Sequence, residues 1–206
     1  MSKYGGEVML IASDLLRAAL ICVAKGEDAE KRPQLSGMHI TRKHLEATNG
    51  HALVRMELTE NVINFDDDTD VDLIIRFCGD IPEKACFTDI QLGDEPKAFH
   101  LGEDEVVFSL THLEIINGRF PNLDKNIPTE KQNVIPYFRT EYLSYPSLMF
   151  KGAGSVLMEP SGMETACRFR FCSFTNKIYG NPVFVVMPRK ETAFEIAEQV
   201  MKEEGL

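Results

Sequence analysis

The residues best suited to hold a metal or to act as nucleophiles in this chain are five cysteines and five histidines. Cys22, Cys78, Cys86, Cys167 and Cys172 are odd in number and show no short paired spacing. They make a poor disulfide framework and a poor zinc site. Most lie in apolar or alternating runs (ALICVA, IIRFC, ACRFRFC), where free Cys behaves as a small hydrophobe. Reduced, structural cysteines in a cytoplasmic protein are expected. His39, His44, His51, His100 and His112 are scattered singly, and none stands beside a Ser or Cys in a nucleophile arrangement. The acids of DDDTDVD (66–72) invite a calcium reading, but the glycine and closing glutamate of a calcium loop are missing. A solvated loop leading into the strand VDLIIRF is expected instead. No carboxylate pair, phosphate loop or nucleophile motif stands out, so the expectation is a non-enzyme without metal or cofactor.

The chain has 206 residues, 32 acids against 22 bases, and a formal net charge of -10. That balance repels phosphate at long range and excludes a protein that coats nucleic acid through a uniformly basic surface. No apolar window approaches the roughly 18 residues of a spanning helix, and the first residues lack the apolar core of a signal peptide. At this mass a folded chain buries about 70% of its unfolded surface, enough for a sizeable core.

The elements available to position a site follow from hydrophobic period. Residues 13–25 predict a helix capped by Ser13 and stopped before Gly26, with Leu16, Ala19, Leu20 and Val23 at helical spacing. GEDAEKRP reads as a charged loop. LSGMHIT, HLEAT and ALVRMEL read as strands, the last two joined by a hairpin at Asn49-Gly50. A short helix is expected at PEKACF, led by Pro82. Strands follow at DIQL, KAFHL and EVVFSLTHLEII, with Val106, Phe108 and Leu110 alternating as a half-buried face. VIPYFR predicts a strand and TEYLSYPSLMFKG a helix disturbed by Pro146. SVLMEP, CRFRFCSF and PVFVVMP predict three more strands. The tail KETAFEIAEQVMKEEG is an amphipathic helix, with Ala193, Phe194, Ala197, Val200 and Met201 on one stripe and Gly205 as its stop. The order strand, helix, several strands thus runs three times, at about 7–60, 61–128 and 133–190, which suggests an array of like units.

Three segments carry more than periodicity: LSGMHI…LEATNGHALV (35–54), INGRFPNLDKNIP (116–128) and VFVVMPR (183–189). In this order they resemble the bacterial DNA polymerase III β subunit, the replicative sliding clamp. The first is similar to the strand–strand "ATDGHRLA" segment that opens the family's middle domain. The second is similar to the "DGRFPDYRRVLP" segment that ends that domain, and the third to the "VVMPMRL" end of the clamp. Ala52 stands where the family has arginine, and Asn126 where it has an apolar residue.

The resemblance implies an α+β, DNA-clamp-like fold of repeated β-α-β half-units, with helices on one side of antiparallel sheets. It implies a complete clamp-like domain at 1–130 and a partial one at 131–190; the resemblance covers about 8–190 and leaves the C-terminal amphipathic helix at 191–206 unmatched. In that family the three segments wall a pocket for short linear motifs of polymerases and other partners. Carried over residue by residue, the pocket comprises Leu35, Thr48, Gly50, His51, Leu53, Pro121, Lys125, Ile127, Val185, Met187, Pro188 and Arg189. The expected DNA-facing cations are Arg17, Lys25, Lys31, Arg32, Lys84 and Lys151. The implied protein is a shortened, sliding-clamp-like replication factor of a phage or mobile element. It would bind clamp-interaction motifs of a DNA polymerase or accessory factor. As a homo-oligomer it would encircle duplex DNA, without sequence specificity, and confer processivity. The alternative is a clamp mimic that forms no ring and competes for clamp partners or binds the host clamp. For the tail helix three placements stand open: over a sheet edge, against another subunit, or beside the pocket.

Overall fold

A computed structural model describes residues 7–58, 63–64, 71–190 and 192–204. The acidic run at 66–70 and Gly205 lie outside the described residues, as do the side chains of Phe194 and Ala197.

The first unit runs β1 (Glu7–Ala12), α1 (Ser13–Ile21), α2 (Glu27–Lys31), β2 (Met38–Thr41), β3 (His44–Thr48) and β4 (Ala52–Glu57). The second contains β5 (Ile63–Asn64), β6 (Asp72–Phe77), β7 (Phe87–Leu92), β8 (Lys97–Leu101) and β9 (Val107–Ile115). The third contains α3 (Thr140–Met149), β10 (Leu157–Pro160), β11 (Cys167–Arg170), α4 (Ser173–Ile178) and β12 (Val183–Val186), followed by α5 (Thr192–Glu203). The strands form one twelve-stranded sheet in the order β10-β11-β12-β4-β3-β2-β6-β9-β8-β7-β1-β5, with every pair antiparallel. Each unit lends strands to its neighbours. β1 of the first unit pairs with β7 of the second, β6 of the second with β2 of the first, and β12 of the third with β4 of the first.

The main core lies between α1, α3 and this sheet. Leu15, Leu16, Ala18 and Ala19 of α1 are buried, as are Tyr142, Tyr145 and Met149 of α3. On the strands Met38, Ile40, Leu45, Val54, Ile75 and Phe184 complete it. A second, smaller cluster gathers Ala24, Leu35, Leu53, Ile74, Phe120, Leu123 and Val185.

Several local expectations are corrected. Helix α1 ends at Ile21 rather than near residue 25, because the Ala24 N–H is drawn to the Leu35 carbonyl at 2.8 Å. Ser13 does not cap it; its hydroxyl is buried against Thr88 at 2.8 Å. The charged run after Gly26 is helix α2, since its first turn is acidic and Lys31 in its last turn bonds Glu27 at 3.0 Å, an arrangement that complements the helix dipole. PEKACF is a turn, not a helix. The Arg17 guanidinium donates to the Pro82 and Ala85 carbonyls at 2.6 and 3.0 Å, pinning the chain before it enters β7. VIPYFR contributes only an isolated bridge between Tyr137 and Arg189. CRFRFCSF leaves the sheet at Arg170 and turns into α4. That helix closes at Gly180 (φ 60), whose carbonyl accepts the Glu57 N–H at 2.6 Å and where a Cβ would strike the Glu57 backbone.

The face of β9 is also reversed. Val106, Phe108 and Leu110 are exposed, and Thr111 and Leu113 point inward. The inner positions belong to a buried polar chain: Thr88 to His100 Nδ1 (3.0 Å), His100 Nε2 to Thr111 (2.9 Å), and Thr111 to the Asp80 carbonyl (3.2 Å). All five cysteines are free; Cys22 and Cys167 are buried, while Cys78 and Cys172 are exposed. No described helix is long and apolar enough to cross a membrane.

Candidate peptide-binding site

The β3–β4 hairpin builds the centre of the site. Asn49 and Ala52 face each other across the turn, with the Asn49 N–H donating to the Ala52 carbonyl at 3.2 Å. The turn is therefore centred on Gly50-His51, one residue later than expected from Asn49-Gly50. Asn49 Oδ1 accepts the N–H groups of His51 and Ala52, each at 2.9 Å, and the Thr48 hydroxyl donates to the Ala52 carbonyl at 2.8 Å. Gly50 (φ 89) supplies the left-handed residue, and the Arg32 guanidinium lies where a side chain would project from it. His51 is left exposed at the tip, its ring stacked on Tyr142 at 6.0 Å.

Strand β12 runs beside this hairpin, with Val185 opposite Leu53. The Met187 N–H donates to the His51 carbonyl at 2.8 Å, which carries the pairing past the end of the strand. The third wall is the segment 119–126, where Asn122 caps a 3-10 turn, Leu123–Asn126, through the Asp124 N–H at 2.9 Å.

An ion-pair chain fixes that wall to the sheet. Arg55 on β4 bonds both Glu46 on β3 and Asp124 in the 3-10 turn. Glu46 also accepts from His39 Nδ1 at 2.9 Å, while His39 Nε2 meets Asp72 at 2.7 Å. The His39 ring stacks on Phe120 at 4.7 Å. Burial works against the charged form of His39, but the carboxylates of Glu46 and Asp72 outweigh it and hold the imidazole above its ordinary value. Burial likewise works to raise the Glu46 carboxyl, yet His39 and Arg55 hold it below the ordinary range.

A histidine raised in the folded state stabilises the fold fully below its unfolded value of about 6.5, and that contribution is lost as pH rises through the folded value. The Tm gap between the wild type and His39→Gln should therefore be wider at pH 5.5 than at pH 9. Thermal melts at the two pH values check this, and a gap independent of pH contradicts it.

These three walls enclose a cavity of about 750 Å³. Of the positions carried over from the resemblance, it is lined by Leu35, Thr48, Gly50, His51, Leu53, Pro121, Lys125, Val185 and Met187. Ile127 stands outside it, half-buried against the second apolar cluster. Pro188 and Arg189 line an adjoining cleft that shares His51 and Met187 with the cavity. Gln34, Arg119, Phe120, Asn122 and Leu123 also line the cavity and were not singled out from the sequence, and Arg32, expected to face DNA, lines it too. Arg119 and Phe120 lie within the GRFP string itself. Arg32 carries no signal in the sequence beyond its charge. The floor of Leu35, Leu53, Leu123, Val185 and Phe120 is apolar, and the rim is basic or amide-bearing. Such a cleft suits one or two apolar side chains of an extended peptide.

The cations expected to face DNA are dispersed. Arg17 is engaged by Asp14 at 2.7 Å and by two carbonyls, and Lys151 reaches the same Asp14 at 3.2 Å. Lys31 pairs with Glu27 at 3.0 Å. Arg32 bonds Asp28 at 3.3 Å and the Asn49 carbonyl at 3.1 Å, which places it on the cavity wall. Lys84 stands 5.6 Å over the Phe108 ring, and Lys25 is exposed in the segment between α1 and α2. Helix α3 carries no Lys or Arg.

No protein-family model matches the chain, and no curated protein matches it. Solved structures do. The β subunit of DNA polymerase III from Thermotoga maritima is similar at a TM-score of 0.55 and 10% identity, over 92% of this chain and 67% of that one. The β subunit from Streptococcus pyogenes is similar at a TM-score of 0.55 and 12% identity, over 88% of this chain and 65% of that one. The chain thus spans about two thirds of the length of either. At these identities the likeness is one of fold: this chain has the antiparallel, helix-backed architecture of a bacterial sliding clamp.

Proposed function

We propose that this chain is a sliding-clamp-like replication protein whose cavity receives apolar anchors of a linear motif on a polymerase or accessory factor. The observation that carries this reading is the cavity itself. Three segments far apart in sequence meet to form one apolar floor with a polar rim. The fold that brings them together is that of the polymerase β subunits. The experiment is a fluorescence-anisotropy titration with a labelled synthetic peptide bearing Leu and Phe anchors. Saturable binding is expected, and its absence removes the proposal.

Whether the protein also encircles duplex DNA as an oligomer is the second part of the reading. The engagement of Arg17 and Lys151 by Asp14, and an α3 without a basic residue, favour the rival in which the chain engages clamp partners without forming a ring. Light scattering separates the two. A closed multimer supports the ring, and a strict monomer at all concentrations supports the rival.

A further inference from the structure

Beside the cavity lies the adjoining cleft of about 350 Å³, joined to it through His51 and Met187. Its charge is unlike that of the whole protein. In a chain of net charge -10, this cleft is lined by Arg139, Arg189 and Lys190 and, among the described residues, by no Asp or Glu. The isolated bridge between Tyr137 and Arg189, with the Arg189 N–H on the Tyr137 carbonyl at 2.7 Å, brings these cations together from two distant segments. Of the arginines elsewhere, Arg17, Arg32, Arg55, Arg76 and Arg170 each hold a carboxylate. Among the described residues no carboxylate stands within ion-pair distance of Arg139, Arg189 or Lys190. The nearby Glu141 is occupied by the Tyr145 hydroxyl at 3.2 Å. The first turn of α5 closes the far side through Thr192 and Ala193, so the positive end of that helix also faces the cleft.

We propose that this cleft takes an acidic stretch of the bound peptide: the segment next to the apolar anchors carries Asp or Glu, and these seat on Arg139, Arg189 and Lys190. This rests on the peptide reading of the cavity and adds the chemistry of the flank. The shared walls make the two sites one track. A chain anchored in the cavity and leaving past His51 and Met187 enters the basic cleft directly. The three cations are solvent-exposed in the free protein, so their attraction to the flank is screened by salt.

Two labelled peptides with the same Leu and Phe anchors test this, one flanked by Asp and Glu, the other by Asn and Gln. Low-salt anisotropy titrations are run on the wild type and on a triple variant, Arg139→Gln with Arg189→Gln and Lys190→Gln. The acidic peptide should bind the wild type about tenfold more tightly than the neutral one, as rim charges at an interface allow. That advantage should vanish in the triple variant and shrink at high salt. The neutral peptide should lose much less affinity in the triple variant than the acidic peptide does. Equal affinity of the two peptides for the wild type overturns the proposal while leaving the cavity reading intact, as does an equal loss for both peptides in the variant. No saturable binding of the neutral peptide overturns the cavity reading, and the proposal with it.

Discussion

Replacing Met187 and Pro121 together by alanine should weaken binding of a Leu/Phe-anchored peptide about thirtyfold, with no change in Tm beyond a degree or two. Both side chains line the cavity and both residues are exposed in the free protein. Their removal takes apolar contact from a ligand without opening a hole in the core. Loss of most of two such side chains from a desolvated contact is worth about 2 kcal/mol, which is about thirtyfold in affinity. The Met187 N–H bond to the His51 carbonyl is a backbone interaction and survives in the variant. Anisotropy titrations of the two proteins, with melts alongside, check the expectation. An unchanged affinity would place the peptide elsewhere, and a large fall in Tm would mean that these residues hold the fold.

Phe184→Ala should have the largest effect on stability, about 3–5 kcal/mol by the range for buried aromatic truncations. Phe184 is fully buried at the seam where β12 meets β4, opposite Val54. Its ring packs against Phe169 at 5.2 Å and Tyr145 at 6.4 Å, so it joins β11, β12 and α3 in one contact. Alanine would leave a cavity that three rigid elements cannot close. The site depends on this seam, because Val185, the next residue on the strand, and Met187, just past its end, line the cavity. Urea unfolding measures the loss. Phe184→Leu, which refills most of the volume, should recover more than half of it. A cost below about 1 kcal/mol for the alanine variant would show that the seam is not what holds β12 in place.

The strand-rich character, the β3–β4 hairpin, α1, α3 and α5 are legible from apolar period and turn residues. The elements that escaped are those decided by distant partners. PEKACF has the Pro start of a helix, but Arg17 of α1 holds its carbonyls and leaves a turn. On β9, Phe108 and Leu110 alternate as an inward face would. The inner side is instead occupied by the Thr88–His100–Thr111 chain, which pairs polar groups from three strands. Period alone cannot show that a Thr and a His will satisfy each other in the interior. The short helices α2 and α4 are too brief for a periodic signal and owe their ends to charges and to Gly180.

The site shows the same division. Its apolar floor was legible only through ordered resemblance, because Leu35, Leu53 and Val185 look like ordinary core residues in the sequence. They are in fact both core and floor: each is buried, and each lines the cavity. Arg32 was expected to face DNA; its place on the cavity wall escaped because it follows from the open backbone at Gly50, which the guanidinium fills. For the tail helix, the structure answers where its start lies. Thr192 and Ala193 line the basic cleft, and Val200 and Met201 are exposed.

The most direct test of the central claim is a methyl-NMR titration of the methionines with the Leu/Phe-anchored peptide. Met187 lines the cavity, while Met9, Met38 and Met56 are buried in the main core. The account predicts that the Met187 methyl resonance shifts saturably with peptide and that those of Met9, Met38 and Met56 stay in place. A Met187 signal unmoved at saturating peptide, with shifts confined to other methionines, would contradict it.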